Sequence, residues 1–239
     1  MIHTVPSTGS TNADLAARLV AGEYLREGDW LVADRQEAGK GRQGRDWIDG
    51  AGNFMGSTVV HRREGDPPAV SLALLAGLAL HEALVPLAGG HAPMLKWPND
   101  LLLDGAKLAG ILLEGQGERV IVGIGVNLVS SPSLPDRKTV SLASLGIDLD
   151  RDTFAEKLAA QFDLELERWR SSGLAPVIRR WTAAAHPAGT ALTVHEPSGV
   201  TIEGSFAGLD ETGALKLHLA DGSLRVIHAG DVDLATATN

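Results

Sequence analysis

Residues 39–47 (GKGRQGRDW) combine three glycines, three cationic side chains and a tryptophan in one short segment. Glycine lets the backbone approach a ligand closely, because it carries no Cβ. The lysine and the two arginines supply positive charge and hydrogen-bond donors that suit a phosphate or a carboxylate. We interpret this segment, called the glycine loop below, as a loop that folds over a small anion.

The spacing Gly39-x-Gly41-x-x-Gly44 also matches the dinucleotide-binding fingerprint by letter. That fingerprint requires a helix directly after it and a βαβ unit around it. Residues 46–50 (DWIDG) do not open a helix, and we expect no βαβ unit in the upstream half of the chain. The other alternative is a solvated basic loop that holds no ligand, since mobile surface loops are common.

A second group of polar side chains comprises Lys96, Asn99, Asp100 and Lys107. Pro98 fixes the backbone, holds the preceding residue extended and ends the predicted strand 94–97. Asn99 and Asp100 therefore lie just past the end of that strand. A carboxylate such as Asp100 suits Mg²⁺, and Lys107 offers a point charge to a carboxylate that attacks a phosphate. Together with the glycine loop, this group indicates an enzyme that joins an acid to another molecule using a nucleotide. The alternative is an Asn-Asp turn beside a surface lysine.

A third polar residue, Asn127, lies at the end of the apolar stretch 119–128 (RVIVGIGVNL), which predicts a buried strand. Glycines inside a strand, here Gly123 and Gly125, often mark the close approach of another backbone or a ligand. Asn127 is therefore either a hydrogen-bonded core residue or a ligand contact, and the pattern leaves both open. The eight histidines of the chain show no metal-binding spacing.

The composition is that of a folded globular protein of 239 residues, with 44% hydrophobic residues and a net charge of −9. This charge argues against nucleic acid as a partner, because binding its phosphates requires clustered Lys and Arg. The absence of cysteine excludes disulfides and thiolate chemistry. Residues 1–6 show no signal-peptide pattern, and the apolar stretch 70–87 is interrupted by polar residues, so we expect no membrane span and a cytoplasmic protein.

The pattern of elements predicts an α+β catalytic domain over residues 1–186 and a small antiparallel barrel over 187–239. Capping pairs, Thr11 with Asp14 and Thr153 with Glu156, are expected to open two of the helices. An Asp-Gly turn at 104–105 predicts a hairpin. The expected helices and strands are, in chain order, a helix from 10 to 22, strands at 29–35 and 53–60, a helix at 70–85, strands at 94–97, 101–103, 107–114 and 119–128, helices at 152–171 and 175–185, and four or five short strands after 187.

These motifs, in this order and spacing, resemble the biotin–protein ligase family. The resemblance covers residues 5–130 by motif, and the C-terminal barrel is similar to the SH3-like domain that ends bacterial members. The motifs that carry it are Ser10-Thr11-Asn12, Gln36-x-Ala38-Gly39-Lys40-Gly41-Arg42-x-Gly44-Arg45-x-Trp47, Lys96-Trp97-Pro98-Asn99-Asp100, Lys107-Leu108-Ala109-Gly110-Ile111-Leu112 and Gly123-x-Gly125-x-Asn127.

The resemblance implies a mixed-sheet, class II synthetase-like catalytic domain and a reaction in two steps. The biotin carboxylate attacks the α-phosphate of ATP, with Mg²⁺ present, and gives biotinyl-5′-AMP and pyrophosphate. A lysine of a biotin carboxyl carrier protein then attacks the mixed anhydride and releases AMP. A glycine loop that excludes water from such an anhydride fits this chemistry.

The resemblance also implies roles for individual residues. Lys107 and Arg42 are the catalytic residues, and Asp100 is the candidate Mg²⁺ ligand. The biotin-binding set is Ser10, Thr11, Asn12, Gln36, Gly39, Lys40, Gly41, Arg42, Lys107 and Gly110. The ATP- and adenylate-binding set is Arg42, Arg45, Trp47, Asn99, Lys107 and Asn127.

Two departures from the family pattern affect the expected function. Lys40 stands where the family commonly has arginine, so a point charge replaces a bidentate donor. The ligase motifs start near residue 7, so we expect a monofunctional enzyme without the DNA-binding domain of repressor-type members.

The rival hypotheses are a lipoate–protein ligase with the same adenylation chemistry and a non-catalytic DNA-binding biotin sensor. A homodimer formed through a sheet edge is also possible.

Overall fold

The structure is a computed structural model that describes residues 1–234. Its larger sheet has seven strands in the spatial order β1-β2-β3-β7-β6-β5-β4. The β1–β2 pair is parallel, and all other neighbours are antiparallel. The strands are β1 (Ile2–Val5), β2 (Trp30–Ala33), β3 (Phe54–His61), β4 (Pro93–Lys96), β5 (Asp100–Leu103), β6 (Ala106–Gln116) and β7 (Arg119–Val126).

Four helices accompany this sheet: α1 (Thr11–Val20), α2 (Leu72–Leu84), α3 (Arg151–Ser172) and α4 (Leu174–Ala184). As expected from the sequence, α2 is the core helix and is mostly buried. Residues Ala69–Leu87 are long and apolar enough to cross a membrane by length and composition alone. Here α2 packs instead against α3, α4 and four strands of the sheet, as the central helix of a folded domain does.

The expectation that the upstream half lacks a βαβ unit was wrong. Strand β1, which we did not predict, pairs in parallel with β2, and α1 connects the two. The dinucleotide-binding interpretation still fails at its other requirement. Only a single 3₁₀ turn, Arg42–Gly44, follows the first glycines, and it contains Gln43 at a positive φ of 57°. No α-helix therefore opens on the glycine loop.

Both predicted capping pairs were wrong in detail. Helix α1 begins after Ser10, and the hydroxyl of Thr8 donates to the carboxylate of Asp14 instead. Helix α3 begins one residue earlier than expected, because the side chain of Asp150 accepts a hydrogen bond of 2.8 Å from the backbone N–H of Thr153. At α3, Asp150 therefore satisfies one of the free N–H groups at the helix start.

The predicted Asp-Gly hairpin was correct. Asp104 and Gly105 connect β5 to β6 with positive φ angles of 52° and 79°, as a type I′ turn requires. A register shift follows Leu101 along the pair. The hairpin places Lys107, near the start of β6, beside Asp100 at the start of β5.

The C-terminal residues form a five-stranded antiparallel sheet in the order β11-β10-β9-β8-β12, as expected for an SH3-like unit. Its strands are β8 (Ala191–His195), β9 (Thr201–Leu209), β10 (Leu215–His218), β11 (Leu224–Ile227) and β12 (Asp231–Leu234). The indole N–H of Trp97 donates to the carbonyl of Gly213 at 3.1 Å and links the two sheets. One continuous apolar core runs from the larger sheet into this unit.

Candidate active site

One cavity of about 350 Å³ gathers nearly all of the predicted site residues. Its walls come from the glycine loop, the start of α1, strands β3, β6 and β7, the β4–β5 connection, residues 132–139 and β12. Gly39 is the exception, since it lines a second cavity together with Arg35 and Asp49. The predicted residues that line the main cavity are Ser10, Thr11, Asn12, Gln36, Lys40, Gly41, Arg42, Arg45, Trp47, Asn99, Asp100, Lys107, Gly110 and Asn127.

One end of the cavity is a network of hydrogen-bonding groups that contains no arginine or lysine. The backbone N–H and hydroxyl of Thr11 both reach Oε1 of Gln36, at 2.8 and 3.1 Å. The Ser57 hydroxyl lies 2.6 Å from the hydroxyl of Thr11 and donates to Oδ1 of Asn12, also at 2.6 Å. Asn12 in turn donates to Glu114 at 2.6 Å. This end can bind an uncharged polar group such as a urea, and we call it the polar end.

Sequence reasoning missed Ser57 and Glu114. Each lies within a strand, β3 and β6 respectively, where alternation predicts only one face toward the core. The signal that could have found Ser57 is a small hydroxyl residue that is completely buried in an apolar strand. Such a residue needs a polar partner.

A buried ion pair lies in the middle of the cavity. Nζ of Lys107 is 2.6 Å from Oδ1 of Asp100, and Nζ of Lys96 is 3.4 Å from Oδ2 of the same carboxylate. Burial opposes ionisation of Asp100, but the two ammonium groups outweigh it and hold the pKa of this carboxyl below its usual value. Lys107 also lies 6.0 Å from the ring centroid of Trp47. These contacts hold the lysine in place within the cavity.

The geometry around Asp100 does not suit a magnesium ion. Both carboxylate oxygens face ammonium groups, whereas Mg²⁺ prefers oxygen ligands that are free of competing cations. Within residues 1–234, no group of three or more His, Asp or Glu side chains is arranged to hold a metal. The sequence-based assignment of Asp100 as a metal ligand therefore does not fit the structure, which gives this residue an ion-pairing position instead.

The other end of the cavity is cationic. Nη1 of Arg42 donates to Oδ1 of Asn99 at 3.2 Å, and both terminal nitrogens of Arg42 approach the carbonyl of Gly230 at 3.5 Å. Asp231 pairs with Arg42 at 3.6 Å and also with Arg45. Burial lowers the pKa of Arg42, against the opposing effect of Asp231 and Asp100. We call this region, where an anion would find several donors, the cationic end.

Sequence reasoning also missed Asp231, which reaches the cavity from β12 of the C-terminal sheet. It is 186 residues from Arg45 along the chain, so spacing gave no signal. The contact shows that the C-terminal unit contributes to the site directly.

The glycine loop is internally hydrogen-bonded. The N–H of Gly41 donates to the carbonyl of Arg45 at 2.7 Å, and the N–H of Trp47 donates to the carbonyl of Gly39 at 2.9 Å. These bonds fold the loop into a small hairpin. Lys40 lies at its exposed edge, although it still lines the cavity.

The two glycines of β7 make room for side chains. A Cβ on Gly125 would lie 2.4 Å from the ring of Trp47, and a Cβ on Gly123 would lie 2.3 Å from Oδ1 of Asn12. The sequence predicted the approach of a backbone or a ligand at these positions. The structure shows that side chains of the cavity itself lie there, so both glycines are part of the site's architecture.

Asn127 is nearly fully buried and its amide group donates to the carbonyl of Val140 at 3.2 Å. Its Oδ1 atom has no hydrogen-bond partner among the described residues. Asn127 therefore supports the following chain segment from the wall of the cavity, and its role as a ligand contact stays a prediction.

Comparison with protein families gives two matches. Residues 6–128 match the model of the "Biotin/lipoate A/B protein ligase family", and residues 193–235 match the "Biotin protein ligase C terminal domain". The two matches fall on the larger sheet and on the C-terminal sheet respectively.

Several curated relatives align over nearly the whole chain. A biotin–[acetyl-CoA-carboxylase] ligase of Paracoccus denitrificans is 36% identical over 94% of this chain and 97% of its own length. A protein of the same name from Mycobacterium tuberculosis is 35% identical over 97% of this chain and 88% of its own length. The bifunctional ligase/repressor of Escherichia coli is 33% identical over 99% of this chain and 74% of its own length.

Solved structures share the fold. The biotin protein ligase from Aquifex aeolicus in complex with biotin and ATP superposes with a TM-score of 0.85, covering 98% of this chain and 99% of that one at 24% identity. The biotin protein ligase from Leishmania major in complex with biotinyl-5-AMP gives a TM-score of 0.66 over 95% of this chain and 98% of that one, also at 24% identity.

Proposed function

The chain belongs to the biotin/lipoate A/B protein ligase family, and we propose from this premise and from the cavity that it is a biotin–protein ligase. It activates biotin with ATP to biotinyl-5′-AMP and then transfers biotin to a lysine of a biotin carboxyl carrier domain. Support comes from two relatives, 36% and 35% identical over most of their own length, that are both biotin–[acetyl-CoA-carboxylase] ligases.

One observation carries the assignment of roles within the cavity. Lys107 lies between a polar end without arginine or lysine and a cationic end that contains two arginines. Biotin combines an uncharged ureido ring with a carboxylate, and ATP adds a chain of phosphates. The polar end is thus suited to the ring, Lys107 to the carboxylate and the α-phosphate, and the cationic end to the remaining phosphates.

In the first half-reaction, an oxygen of the biotin carboxylate attacks the α-phosphorus of ATP, and the bond to the β-phosphate oxygen breaks to release pyrophosphate. The ammonium group of Lys107 stabilises the negative charge that develops on the α-phosphate in the transition state. Asp100 positions this ammonium through the 2.6 Å ion pair. Arg42 and Asn99, which are hydrogen-bonded to each other, hold the phosphates from the cationic end.

In the second half-reaction, the amine of the acceptor lysine attacks the carbonyl carbon of biotinyl-5′-AMP, and AMP leaves. The glycine loop closes over the anhydride and limits its hydrolysis by water. Trp47, whose ring lies against Gly125, forms the inner surface of this cover. The acceptor class is the biotin carrier domain of an acetyl-CoA carboxylase.

Magnesium accompanies the nucleotide in this proposal rather than resting on a built protein site. Mg²⁺ commonly keeps several waters and binds substrate phosphates with few protein ligands. This suits a cavity in which Asp100 is engaged by two lysines. The ion supplies charge neutralisation to the phosphates when it is bound.

We propose that residues 1–186 are the catalytic domain, that residues 187–239 are the SH3-like domain, and that the enzyme works in the cytoplasm, where ATP and carboxylases meet. Asp231 then acts from the second domain on the arginines of the first.

A substrate comparison tests the function. Radiolabelled biotin and radiolabelled lipoate are each supplied with ATP and their own carrier domain, and label on the carrier is measured. We expect label from biotin and little from lipoate. Preferential transfer of lipoate would favour the lipoate–protein ligase alternative, and tight operator DNA binding without ATP turnover would favour a biotin sensor.

A further inference from the structure

Residues 129–140, called the 129–140 segment below, connect β7 to the region before α3 and run along the cavity. The backbone N–H of Lys107 donates to the carbonyl of Lys138 at 2.9 Å, and the N–H of Val140 donates to the carbonyl of Lys107 at 3.0 Å. These two bonds add the end of the segment to the edge of β6 at the catalytic lysine. The residue just before this short ladder, Arg137, lines the cavity.

The opposite end of the 129–140 segment is also anchored. Oδ1 of the buried Asn53 accepts hydrogen bonds from the N–H groups of Val129 and Ser130, at 2.9 and 3.1 Å, and Nδ2 of Asn53 donates to the carbonyl of Ser130 at 2.8 Å. A segment tied at both ends presents its middle residues to the cavity in a defined position.

The side chain of Arg137 is half-buried, with 29% of its surface exposed. Its Nε donates to Asp136 at 3.0 Å, and a terminal nitrogen pairs with the same carboxylate. Asp136 is more exposed, at 55%, and an exposed pair of this kind contributes little to stability. Asp136 can therefore release the guanidinium to a stronger anionic ligand.

Arg137 lines the same cavity as the arginines of the cationic end. Its hydrogen bond to Asp136, and more distantly the charges of Asp100 and Asp231, raise the pKa of the Arg137 guanidinium. Asp100 is the partner of the catalytic lysine, and Asp231 is the partner of Arg42 and Arg45. Arg137 therefore lines the same cavity as Lys107 and the arginines of the cationic end, and part of its side chain is open to solvent.

We propose that Arg137 binds the β- and γ-phosphates of ATP and the pyrophosphate formed from them, as a third arginine beside Arg42 and Arg45. A guanidinium presents paired donors that match phosphate oxygens. Because Lys107 already occupies the centre at the α-phosphate, a cation on the solvent side meets the part of the nucleotide that must leave. This assignment rests on the proposed function, and it confines the effect of Arg137 to adenylate formation.

The test separates the two half-reactions. Biotin-dependent exchange of labelled pyrophosphate into ATP reports the first, and transfer from pre-formed biotinyl-5′-AMP to the carrier domain reports the second. For Arg137→Ala we expect the KM values for ATP and pyrophosphate to rise about 10- to 100-fold, as for loss of a hydrogen bond to a charged group. Transfer from pre-formed biotinyl-5′-AMP is expected to stay within about twofold of wild type, because that compound lacks both phosphates.

Lys138→Ala is the matched control. It removes one positive charge from the neighbouring residue, whose side chain is exposed and does not line the cavity. We expect wild-type exchange from it, and partial recovery from Arg137→Lys, which restores the charge without the paired donors. Thermal melting of each variant shows whether it is folded.

Two results would overturn the assignment. One is unchanged KM values for ATP and pyrophosphate in a folded Arg137→Ala variant. The other is an equal loss of both half-reactions, which would indicate that Arg137 only supports the 129–140 segment. If the wild-type protein showed no biotin-dependent exchange at all, the proposed function itself would fail, and the role of Arg137 with it.

Discussion

Lys107 has a fixed position in the cavity, because its ammonium group contacts the buried carboxylate of Asp100 at 2.6 Å. Replacing it with alanine removes a preorganised charge from the transition state. We expect Lys107→Ala to slow adenylate formation by on the order of 10²–10³-fold, as measured for the loss of one preorganised donor elsewhere. Pyrophosphate release with biotin and ATP checks this result.

The Lys107→Ala variant needs a control for general loss of charge and for folding. Lys157 is exposed on α3 and lies outside the cavity, so Lys157→Ala should release pyrophosphate at the wild-type rate. Asp100 keeps Lys96 as a partner in the Lys107→Ala variant, at 3.4 Å. Normal pyrophosphate release from a folded Lys107→Ala protein would contradict the role of the lysine.

Arg42 connects the glycine loop to both sides of the cavity, through Asn99 and the carbonyl of Gly230. We expect Arg42→Ala to loosen the loop, so that biotinyl-5′-AMP escapes before transfer and labels lysines of unrelated proteins. A streptavidin blot of a bystander protein measures this leakage, which should rise several-fold relative to carrier labelling.

Arg35 offers the control for Arg42, because it lies just before the loop and pairs with Asp49 outside the main cavity. Arg35→Ala should leave bystander labelling at the wild-type level. If Arg42→Ala also gives wild-type bystander labelling while slowing adenylate formation, Arg42 acts on phosphate binding and not on retention of the intermediate.

The residues that sequence reasoning identified at the cavity all lie in short motifs with an uncommon combination of residue types, such as the glycine loop and the segment from Lys96 to Asp100. The residues it missed lie in segments of common composition. Ser57 lies in an apolar strand, Arg137 in a polar loop and Asp231 in a strand of the other sheet. Their roles depend on tertiary contacts, and single-sequence patterns carry no information on those.

At the level of elements, local signals gave the correct result wherever a few adjacent residues decide the structure. The turn at Asp104 and Gly105 has positive φ at both central residues, and these residue types favour that conformation. Strand β1 was missed because it has four residues at the sheet edge, and it is formed by pairing with β2, which lies more than 20 residues away. The four residues of β1 alone do not indicate which strand it pairs with.

Strand β7 has glycines where cavity side chains need space, and this makes a prediction for the element. We expect Gly125→Ala to displace the Trp47 ring, because the new Cβ would lie 2.4 Å from it. The cover over the nucleotide then fits poorly, and affinity for ATP in the presence of biotin should fall at least about tenfold, as for other overpacked sites. Isothermal titration calorimetry measures this change.

Gly115→Ala is the matched control for Gly125→Ala. Gly115 lies in the neighbouring strand β6, and a Cβ there would have no atom within 4 Å. This substitution should leave affinity unchanged and the melting temperature equal or slightly higher, because alanine restricts the unfolded chain more than glycine does. Equal affinities for the two variants would show that Trp47 does not depend on Gly125.

At the scale of the whole molecule, the main cavity has the opposite sign of charge to the chain as a whole. The chain carries a net charge of −9, yet the main cavity is lined by more cationic than anionic side chains. The cationic side chains that line it are Lys40, Arg42, Arg45, Lys96, Lys107 and Arg137. The carboxylates that line it are Asp46, Asp100, Asp136, Asp231 and Asp233.

The two sheets meet at His186, which follows α4 and packs against Phe206 of β9 with ring centroids 4.5 Å apart. Its side chain is buried, and neither ring nitrogen has a hydrogen-bond partner within residues 1–234. Burial, reinforced by the nearby charge of Lys96, lowers the pKa of His186 to about 4. The imidazole is therefore neutral in the folded protein at pH 5, whereas in the unfolded chain it is mostly protonated.

This difference makes the junction of the two sheets sensitive to acid. Because the unfolded state binds the extra proton, the contribution of His186 to stability is intact above pH 6.5 and is lost as pH falls from 6.5 toward 4. Between pH 7 and pH 5 the loss is at most about 2 kcal/mol. We expect His186→Leu to remove this part of the decline in the free energy of unfolding, measured by urea denaturation with tryptophan fluorescence at both pH values. His218→Leu replaces an exposed histidine of β10 and should retain the wild-type decline. An equal decline in all three proteins would show that the imidazole of His186 is protonated as readily in the folded state as in the unfolded chain.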